Sequence, residues 1–310
     1  MGSSKIMLDE FTCKNIDMIV ERVLKEALLN QPPIHIENLL SHLEIDRDFY
    51  NLEDPGLIRR IQHRIKIYGH RYGHGLIKVA KKVRLSALWL PDREQILVDS
   101  SLPAPKQKWA SFHDVTHSLL PWQKIYFLGD TAETLDPDIQ MRLEAEAHYG
   151  ASALMFGGKM FTKEALDTDP QWSSIITLSK RYEGSYPTIL RRYVHFSHDL
   201  PMVLVVSTPR WMKISHDQVS PLRHFVRSKR FGKEFGNITA VELLEEINDN
   251  TIRRRGGPVG DFTLPLSDLN GTSHEFRAES FFNQHYLLTL IVYQKPFITN
   301  RVIMPNIRFR

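Results

Sequence analysis

Residues 109–120 read WASFHDVTHSLL, a short stretch that places His113 and His117 four positions apart, with Asp114 directly after the first histidine. On an α-helix, positions i and i+4 lie one turn apart on the same face, so both imidazoles could reach one metal ion. A carboxylate beside the first histidine could hold a water molecule and accept its proton, as in metal-dependent peptide hydrolysis. The same spacing also arises by chance, and the two histidines would then be hydrogen-bonded side chains of a helical core.

A catalytic zinc site needs a third protein ligand, and the next long helix offers two acids. The stretch PDIQMRLEAEAHYGASALMF (137–156) begins with a proline suited to a first helical turn and is followed by two glycines. Glu144 and Glu146 point about 200° apart on such a helix, so only one of them could face the ion. Small residues in its second half, Gly150 among them, would let this helix approach its neighbour closely. The alternative is that both acids are ordinary surface residues.

The composition is that of an ordinary globular protein, with 310 residues, of which 42% are hydrophobic and 25% charged. No apolar run approaches the roughly 20 residues that cross a bilayer, and the N-terminus lacks the apolar segment of a secretory signal. Cys13 is the single cysteine, so no internal disulfide can form. We therefore expect a cytoplasmic protein that does not bind a membrane.

The periodicity of apolar residues changes along the chain and predicts an α+β protein with two domains. The first part is mainly helical, with a strand–turn–strand unit at 85–99 and a helix–turn–helix unit at 173–197. Beyond Pro201, runs such as MVLVVSTP and HYLLTLIVYQ are typical of strands. We predict a mainly helical domain with a small β-sheet over 1–198, followed by an α+β domain over 199–310.

Four segments, taken in order, resemble the ImmA/IrrE family of metallopeptidases: ILVDSSLP, ASFHDVTHSLL, EAEAHYGASALMF and LSKRYEGSYPTILRR. That family has a His-Glu-x-x-His helix, and then a helix that begins Glu-x-x-Ala-Asn-x-Phe-Ala-Ala. The resemblance covers about residues 10–197, and its strength lies in the ordered set of segments. It implies a zincin-like peptidase domain over 1–198 in which the 173–197 segment packs beside the catalytic core. Arg191 and Arg192 of that segment are expected to face outward.

The resemblance also implies a ligand set. His113, His117 and Glu144 would bind the metal, and Asp114 would act as the general base. Two histidines and one carboxylate favour zinc over magnesium or calcium. Two positions depart from the family pattern: Asp114 stands in place of Glu and is shorter by one methylene, and His148 stands in place of Asn.

Members of this family cleave a repressor, which implies an XRE-like helix-turn-helix repressor as the protein substrate here. Cleavage would switch on a stress, DNA-damage or anti-phage operon. Long forms of the family carry a GAF-like sensor domain after the peptidase, and residues 199–310 would correspond to it. An extended peptide would be held by the exposed edge of the 85–99 strand pair.

Basic residues are concentrated in three segments that could contact nucleic acid phosphates. The first contains nine lysines and arginines and no acid: Arg59, Arg60, Arg64, Lys66, Arg71, Lys78, Lys81, Lys82 and Arg84. Residues 223–235, RHFVRSKRFGKEF, could hold single-stranded DNA between cations and phenylalanines, or form an amphipathic helix with the phenylalanines in the core. Arg253, Arg254 and Arg255 precede two glycines in a turn that could hold phosphate. The alternative for each segment is ordinary solvent-exposed surface.

Two hypotheses of different classes follow from these patterns. The first is a regulated zinc endopeptidase that cleaves a repressor and is activated by nucleic acid, with single-stranded DNA as the candidate activator. The second is a non-catalytic regulator that binds nucleic acid or another ligand on a degenerate peptidase scaffold. The short side chain of Asp114 is the feature that favours the second hypothesis.

Overall fold

A computed structural model describes residues 8–50, 87–90, 94–123, 137–212 and 220–296. These residues form the α+β fold that the sequence predicts. The chain divides into two compact units, Met1–Phe161 and Thr162–Arg310. The boundary between functional domains at 198–199 stays a prediction. The basic segment at 59–84 lies outside the described residues, and its contact with nucleic acid stays a prediction as well.

The first unit combines helices with a small sheet. Its elements are α1 (Glu10–Glu26), α2 (Ile36–His42), β1 (Asp46–Tyr50), β2 (Ala87–Leu90), β3 (Gln95–Asp99), α3 (Ala104–Leu119) and α4 (Pro137–Met155), and α5 (Lys159–Leu166) begins in it. The helices α3 and α4 pack against each other, and α1 packs against α4. This helix pair carries the residues that the sequence analysis selected as metal ligands.

The helix α3 begins and ends where prolines restrict the backbone. Pro103 is extended just before the first helical residue, and Pro105 lies in the first turn, where its missing N–H needs no helical partner. Leu120 is extended because it precedes Pro121. Between these ends, α3 packs against β2, β3 and α4, with Phe112 fully buried. The His-x-x-x-His motif therefore lies on a regular helix in the interior of the first unit.

The helix α4 ends at two glycines with left-handed backbone conformations, with φ of 65° at Gly157 and 59° at Gly158. Within the helix, Gly150 faces α3 and α1. A Cβ atom at this position would overlap the side chain of Thr116 on α3 and lie 3.2 Å from Ile16 on α1. The absence of a side chain thus allows the close approach of helices that the sequence predicts.

The strand pair predicted at 85–99 is confirmed by β2 and β3, which are antiparallel. A further strand was missed: β1 runs parallel to β3, with Arg47 opposite Ile96. The strand order is β1–β3–β2, so β3 is the central strand. Of the predicted pair, only β2 keeps an edge that no described strand covers, and the predicted peptide-binding edge therefore lies on β2.

The second unit is built on a larger sheet. Its elements are α6 (Trp172–Tyr182), α7 (Tyr186–Arg192), a π-helical turn (Tyr193–Ser197), β4 (Met202–Ser207), β5 (Leu222–Arg227), α8 (Lys229–Glu234), α9 (Ala240–Asp249), β6 (Gly257–Ser267), β7 (Ser273–Phe282) and β8 (Leu287–Pro296). The strands form one antiparallel sheet in the order β5–β4–β8–β7–β6. The strand β4 is buried throughout, and α8 and α9 contribute Phe231 and Leu243 to a core cluster shared with Phe276 of β7.

The segment 223–235 is not one amphipathic helix. Its first half lies in the strand β5, which ends at Arg227. Ser228 follows the strand and caps α8, because its Oγ accepts a hydrogen bond from the Phe231 N–H. Phe231 and Phe235 are buried in the core, as the alternative interpretation predicts, and they are not available for stacking on bases.

The expectation that Arg191 and Arg192 face outward is wrong. Arg192 is 6% exposed and Arg191 is partly buried, because α7 and the π-helical turn pack against β4. The guanidinium of Arg192 lies 5.6 Å from the ring centroid of Phe196. Burial also lowers the pKa of Arg191. The end of α7 that carries these two arginines therefore packs within the second unit and does not form a basic surface.

Candidate metal centre

The two histidines of α3 meet Glu144 of α4 inside the first unit. Glu144 Oε2 lies 3.3 Å from His113 Nε2, and Glu144 Oε1 lies 3.7 Å from His117 Nε2. The two imidazole centroids are 4.7 Å apart. Both histidines expose little of their side chains, at 15% and 5%, whereas Glu144 exposes 48%. The structure thus brings together the three residues that the sequence selected as ligands, at the end of a buried helix contact.

The other acid, Glu146, is in none of the ion pairs that the described residues give the two histidines, in agreement with the angle between the two positions on a helix. It is 3% exposed, and its Oε2 accepts hydrogen bonds from Trp122 Nε1 at 2.7 Å and from Gln123 Nε2 at 2.9 Å. Arg142 Nε lies 3.4 Å from its Oε1. Glu146 is therefore a buried anchor for polar side chains next to the site.

Through Gln123, this anchor orients His117. The amide that donates to Glu146 uses its carbonyl, Oε1, to accept a hydrogen bond from His117 Nδ1. With the proton on Nδ1, the Nε2 lone pair of His117 points toward Glu144. Hydrogen bonds of this kind fix the tautomer and ring orientation of metal-binding histidines. Gln123 gave no signal in the sequence because it lies after Pro121, in the helical residues 121–123, outside any motif.

Asp114 lies beside the ligands with one of its oxygens unused. The residue is 5% exposed, and its Oδ1 is 3.4 Å from His113 Nδ1. Among the described residues, Asp114 Oδ2 is buried without a hydrogen-bond partner. The same is true of His113 Nε2, which lies close to Glu144 but at an angle that does not make a hydrogen bond.

The electrostatics of the site favour an imidazolium–carboxylate pair between His113 and Glu144. Burial acts to lower the pKa of His113, but the contacts with Asp114 and Glu144 outweigh it and raise that pKa to about 9. Burial acts to raise the pKa of Glu144, but His113 and His117 outweigh it and lower that pKa to about 2. Burial affects Glu144 even though 48% of its side chain is exposed, because its carboxylate oxygens face the imidazoles.

The other two groups of the site shift mainly through burial. Burial raises the pKa of Asp114. Burial, together with the charge on His113, lowers the pKa of His117 and favours its neutral form. A neutral imidazole with a free Nε2 lone pair is the form that binds a metal.

A fourth side chain, His148, lies at the site, although the sequence did not predict it to be a ligand. Within the described residues, one group of three side chains has ligand atoms that all lie within 4.8 Å of one another, and it consists of His113, Glu144 and His148. His148 lies one helical turn after Glu144, and its ring centroid is 4.7 Å from that of His113. The signal was the histidine at the position where the family pattern has Asn.

These donors fit a zinc ion. Two or three imidazoles and one carboxylate are the donor types that zinc prefers. Among the described residues, the buried His113 Nε2 faces Glu144 Oε2 at 3.3 Å without a well-aligned hydrogen bond, and a metal ion bound by both atoms would satisfy them. The group of His113, Glu144 and His148 could hold a metal ion, and His117 lies within reach of the same carboxylate.

The three consecutive arginines lie in the second unit, at a cavity. Arg253, Arg254 and Arg255 line an open cavity of about 540 Å³ together with Trp211 and Phe282. Arg254 Nη1 donates a hydrogen bond to the Pro258 carbonyl. None of the ion pairs formed among the described residues involves these three arginines. The cavity lining therefore combines positively charged side chains with aromatic rings.

Comparison with known proteins gives a likeness of fold. No protein-family profile matches the chain, and no curated protein sequence is similar to it. The structure is similar to one described as a Mycobacterium tuberculosis transcriptional regulator, with 12% identity and a TM-score of 0.50, covering 91% of this chain and 88% of that chain. At this level of identity the likeness shows the fold alone. Of the helices in the described ranges, none is long and apolar enough to cross a membrane.

Proposed function

We propose that this protein is a regulated zinc endopeptidase of the ImmA/IrrE type that cleaves a helix-turn-helix repressor. Cleavage would switch on a stress, DNA-damage or anti-phage operon. The observation that carries the proposal is the convergence of His113, His117 and Glu144 from two packed helices, beside the buried carboxylate of Asp114. The order of motifs along the chain adds the family and the class of substrate.

The roles of the residues follow from their contacts. A zinc ion held by His113, His117 and Glu144 would supply Lewis acidity and an activated water molecule. Asp114 Oδ1 orients His113. Asp114 Oδ2 would accept a proton from the attacking water molecule and return it to the leaving amine. Gln123 keeps His117 in the binding orientation. The edge of β2 that no described strand covers would pair with the backbone of an extended substrate.

The test of this proposal is the replacement of Asp114. We expect Asp114→Asn to slow repressor cleavage by about 10²–10⁴-fold, the usual contribution of a general base. Metal content should stay at the wild-type level because Asp114 is not a ligand. The measurement is the loss of a full-length candidate helix-turn-helix repressor during incubation with each purified protein, with and without single-stranded DNA.

The matched control is Asp138→Asn, since Asp138 is an exposed acid in the first turn of α4. That variant should cleave at the wild-type rate. Cleavage by Asp114→Asn at the wild-type rate would remove Asp114 from the mechanism and contradict the proposal.

A second candidate function is favoured by the cavity of Arg253, Arg254 and Arg255. Arginines beside aromatic rings bind phosphate and stack with bases, so the second unit would bind single-stranded nucleic acid, either as a sensor or as the sole activity of the protein. Replacing all three arginines by alanine should weaken binding of a labelled DNA oligonucleotide and reduce its salt dependence by about one unit of log–log slope per lost contact.

The control for this prediction is Lys295→Ala. This substitution removes one exposed cation of the same unit that does not line the cavity. Fluorescence anisotropy at several salt concentrations provides both quantities. Equal affinity and equal salt slope for the triple variant and the wild-type protein would exclude the arginine segment as the binding site.

A further inference from the structure

We infer that His148 is a fourth protein ligand of the same metal ion, and that its binding closes the coordination sphere and keeps the peptidase latent. The metal-binding part of this inference stands on the geometry alone. Its consequence for catalysis rests on the proposed function. In this view the exposed histidine is the regulated element of the site.

The geometric basis is a pair of matched spacings. His113 and His117 lie one turn apart on α3, and Glu144 and His148 lie one turn apart on α4. Residues at this spacing share a helix face, so each helix presents two donors. Gly150 lets the two helices approach closely, so that the ligand atoms of His113, Glu144 and His148 lie within 4.8 Å of one another and His117 Nε2 lies 3.7 Å from Glu144 Oε1. Two helices thus supply four donors, which is the number that fills a tetrahedral zinc site.

The distances divide the four donors into a shared pair and two outer histidines. His113 and Glu144 contact each other, and each outer histidine lies near that pair. His117 is 4% exposed and is held by Gln123, whereas His148 is exposed. The buried histidine is therefore the fixed ligand, and the exposed histidine is the one that can leave by a change of rotamer.

Aromatic contacts place His148 over the site. Its ring is 4.7 Å from His113 and is tilted by 57°, and it stacks on Trp109 at 6.0 Å with an interplanar angle of 20°. Trp109 is one turn before His113 on α3, so it supports His148 on the side of the first ligand. These contacts hold the exposed imidazole beside the other donors.

The chemical consequence follows from the number of ligands. Structural zinc sites have four protein ligands, whereas catalytic sites have three and keep one position for water or substrate. With His148 bound, the site is of the first kind, and the substrate has no access to the ion. With His148 released, it is of the second kind. A ligand or partner that holds His148 away would therefore activate the protein.

The experiment uses cobalt(II) in place of zinc in the purified full-length protein. Absorption in the visible range reports the number and type of ligands, and titration gives the affinity. For His148→Asn, we expect about one ion per chain to remain, a changed spectrum, and an affinity lower by at least about tenfold. His42→Asn, an exposed histidine of the short helix α2, is the control and should reproduce the wild-type spectrum. An unchanged spectrum and affinity in His148→Asn would overturn the inference.

Repressor cleavage separates this inference from the proposed function. His148→Asn is expected to cleave faster than the wild-type protein when no activator is present. If the cobalt spectrum depends on His148 but the variant cleaves more slowly or at the same rate, His148 is a ligand without a latent role, and the inference about regulation is wrong. If the spectrum depends on His148 and neither protein cleaves under any condition, the fourth ligand is supported and the proposed peptidase function fails.

Discussion

His113→Ala protein is expected to purify almost free of metal, whereas His117→Ala and His148→Ala should each retain an ion with weaker affinity. His113 and Glu144 are common to two sets of three donors: His148 completes the set whose ligand atoms all lie within 4.8 Å of one another, and His117 completes the other through Glu144 Oε1, 3.7 Å from its Nε2. Removal of an outer histidine leaves the shared pair and one further donor. Removal of His113 takes away the imidazole that lies 3.3 Å from Glu144 and that is common to both sets of three donors.

The measurement is the zinc content by elemental mass spectrometry after dialysis against a competing chelator. Wild-type protein should hold about one ion per chain, as expected for a single site. Gln123→Met serves as a graded comparison, because it removes the hydrogen bond to His117, together with those to Glu146 and the Leu143 carbonyl, and leaves all four donor side chains in place. Such outer partners typically contribute about 10–100-fold to metal affinity. His113→Ala should lower the metal affinity by more than this factor, and His42→Ala should leave the affinity unchanged.

Thermal unfolding provides a second, independent readout. An ion that binds the folded protein raises its stability by mass action, so a chelator should lower the melting temperature of the wild-type protein. The same chelator should leave His113→Ala unchanged. Full metal content in His113→Ala, with a folded circular dichroism spectrum, would show that the ion binds elsewhere, and both proposals for the site would fail.

The parts of the site that local sequence predicts are those encoded within one helix. The spacing of His113 and His117, the proline-bounded start and end of α3, and the glycines after α4 all act over a few residues, and the structure contains each of them. Helix geometry also predicts that only one of Glu144 and Glu146 faces the histidines, whereas the selection of Glu144 came from the family resemblance. These features depend on backbone and spacing rules that tertiary contacts do not alter.

The features that sequence analysis missed depend on long-range pairing. The strand β1 reads DRDFY and has no apolar alternation, since it is an edge strand whose residues are mostly exposed. Its partner residues in β3 lie 49 positions further along the chain, as in the pair Asp46 and Gln95. The burial of Arg192 has the same origin, because a helix of seven residues does not reveal which of its faces will pack on a sheet.

His148 and Gln123 show the same limit at the level of function. Each residue is ordinary in its local sequence, and each becomes part of the site only because α3 and α4 pack together. Family resemblance identified His148 as a departure without a role, whereas the structure places it beside His113 and Glu144. The departure from the pattern was thus the informative position, and its meaning required the partner helix.

The second large effect is expected in the core of the second unit, where Phe276→Ala should lower the free energy of unfolding by about 3–5 kcal/mol. Phe276 is fully buried and lies in β7, opposite Leu264 of β6 and Tyr293 of β8. Its ring centroid is 5.9 Å from that of Phe231, 5.0 Å from that of Phe235 and 5.6 Å from that of Tyr293. Truncation would remove these contacts and leave a cavity that the sheet on both sides cannot fill.

Chemical denaturation of the full-length chain, followed by tryptophan fluorescence, measures this effect. Trp172 and Trp211 lie in the second unit, and Trp211 packs edge-on against Phe282 within it, so unfolding of this unit should change their emission. Leu269→Ala is the matched control, since Leu269 is 61% exposed and its loss should change stability by less than about 0.5 kcal/mol. Phe276→Leu should fall between the two, because a leucine fills part of the space. A Phe276→Ala protein as stable as Leu269→Ala would show that α8 and α9 do not pack on the sheet as the core cluster of this unit requires.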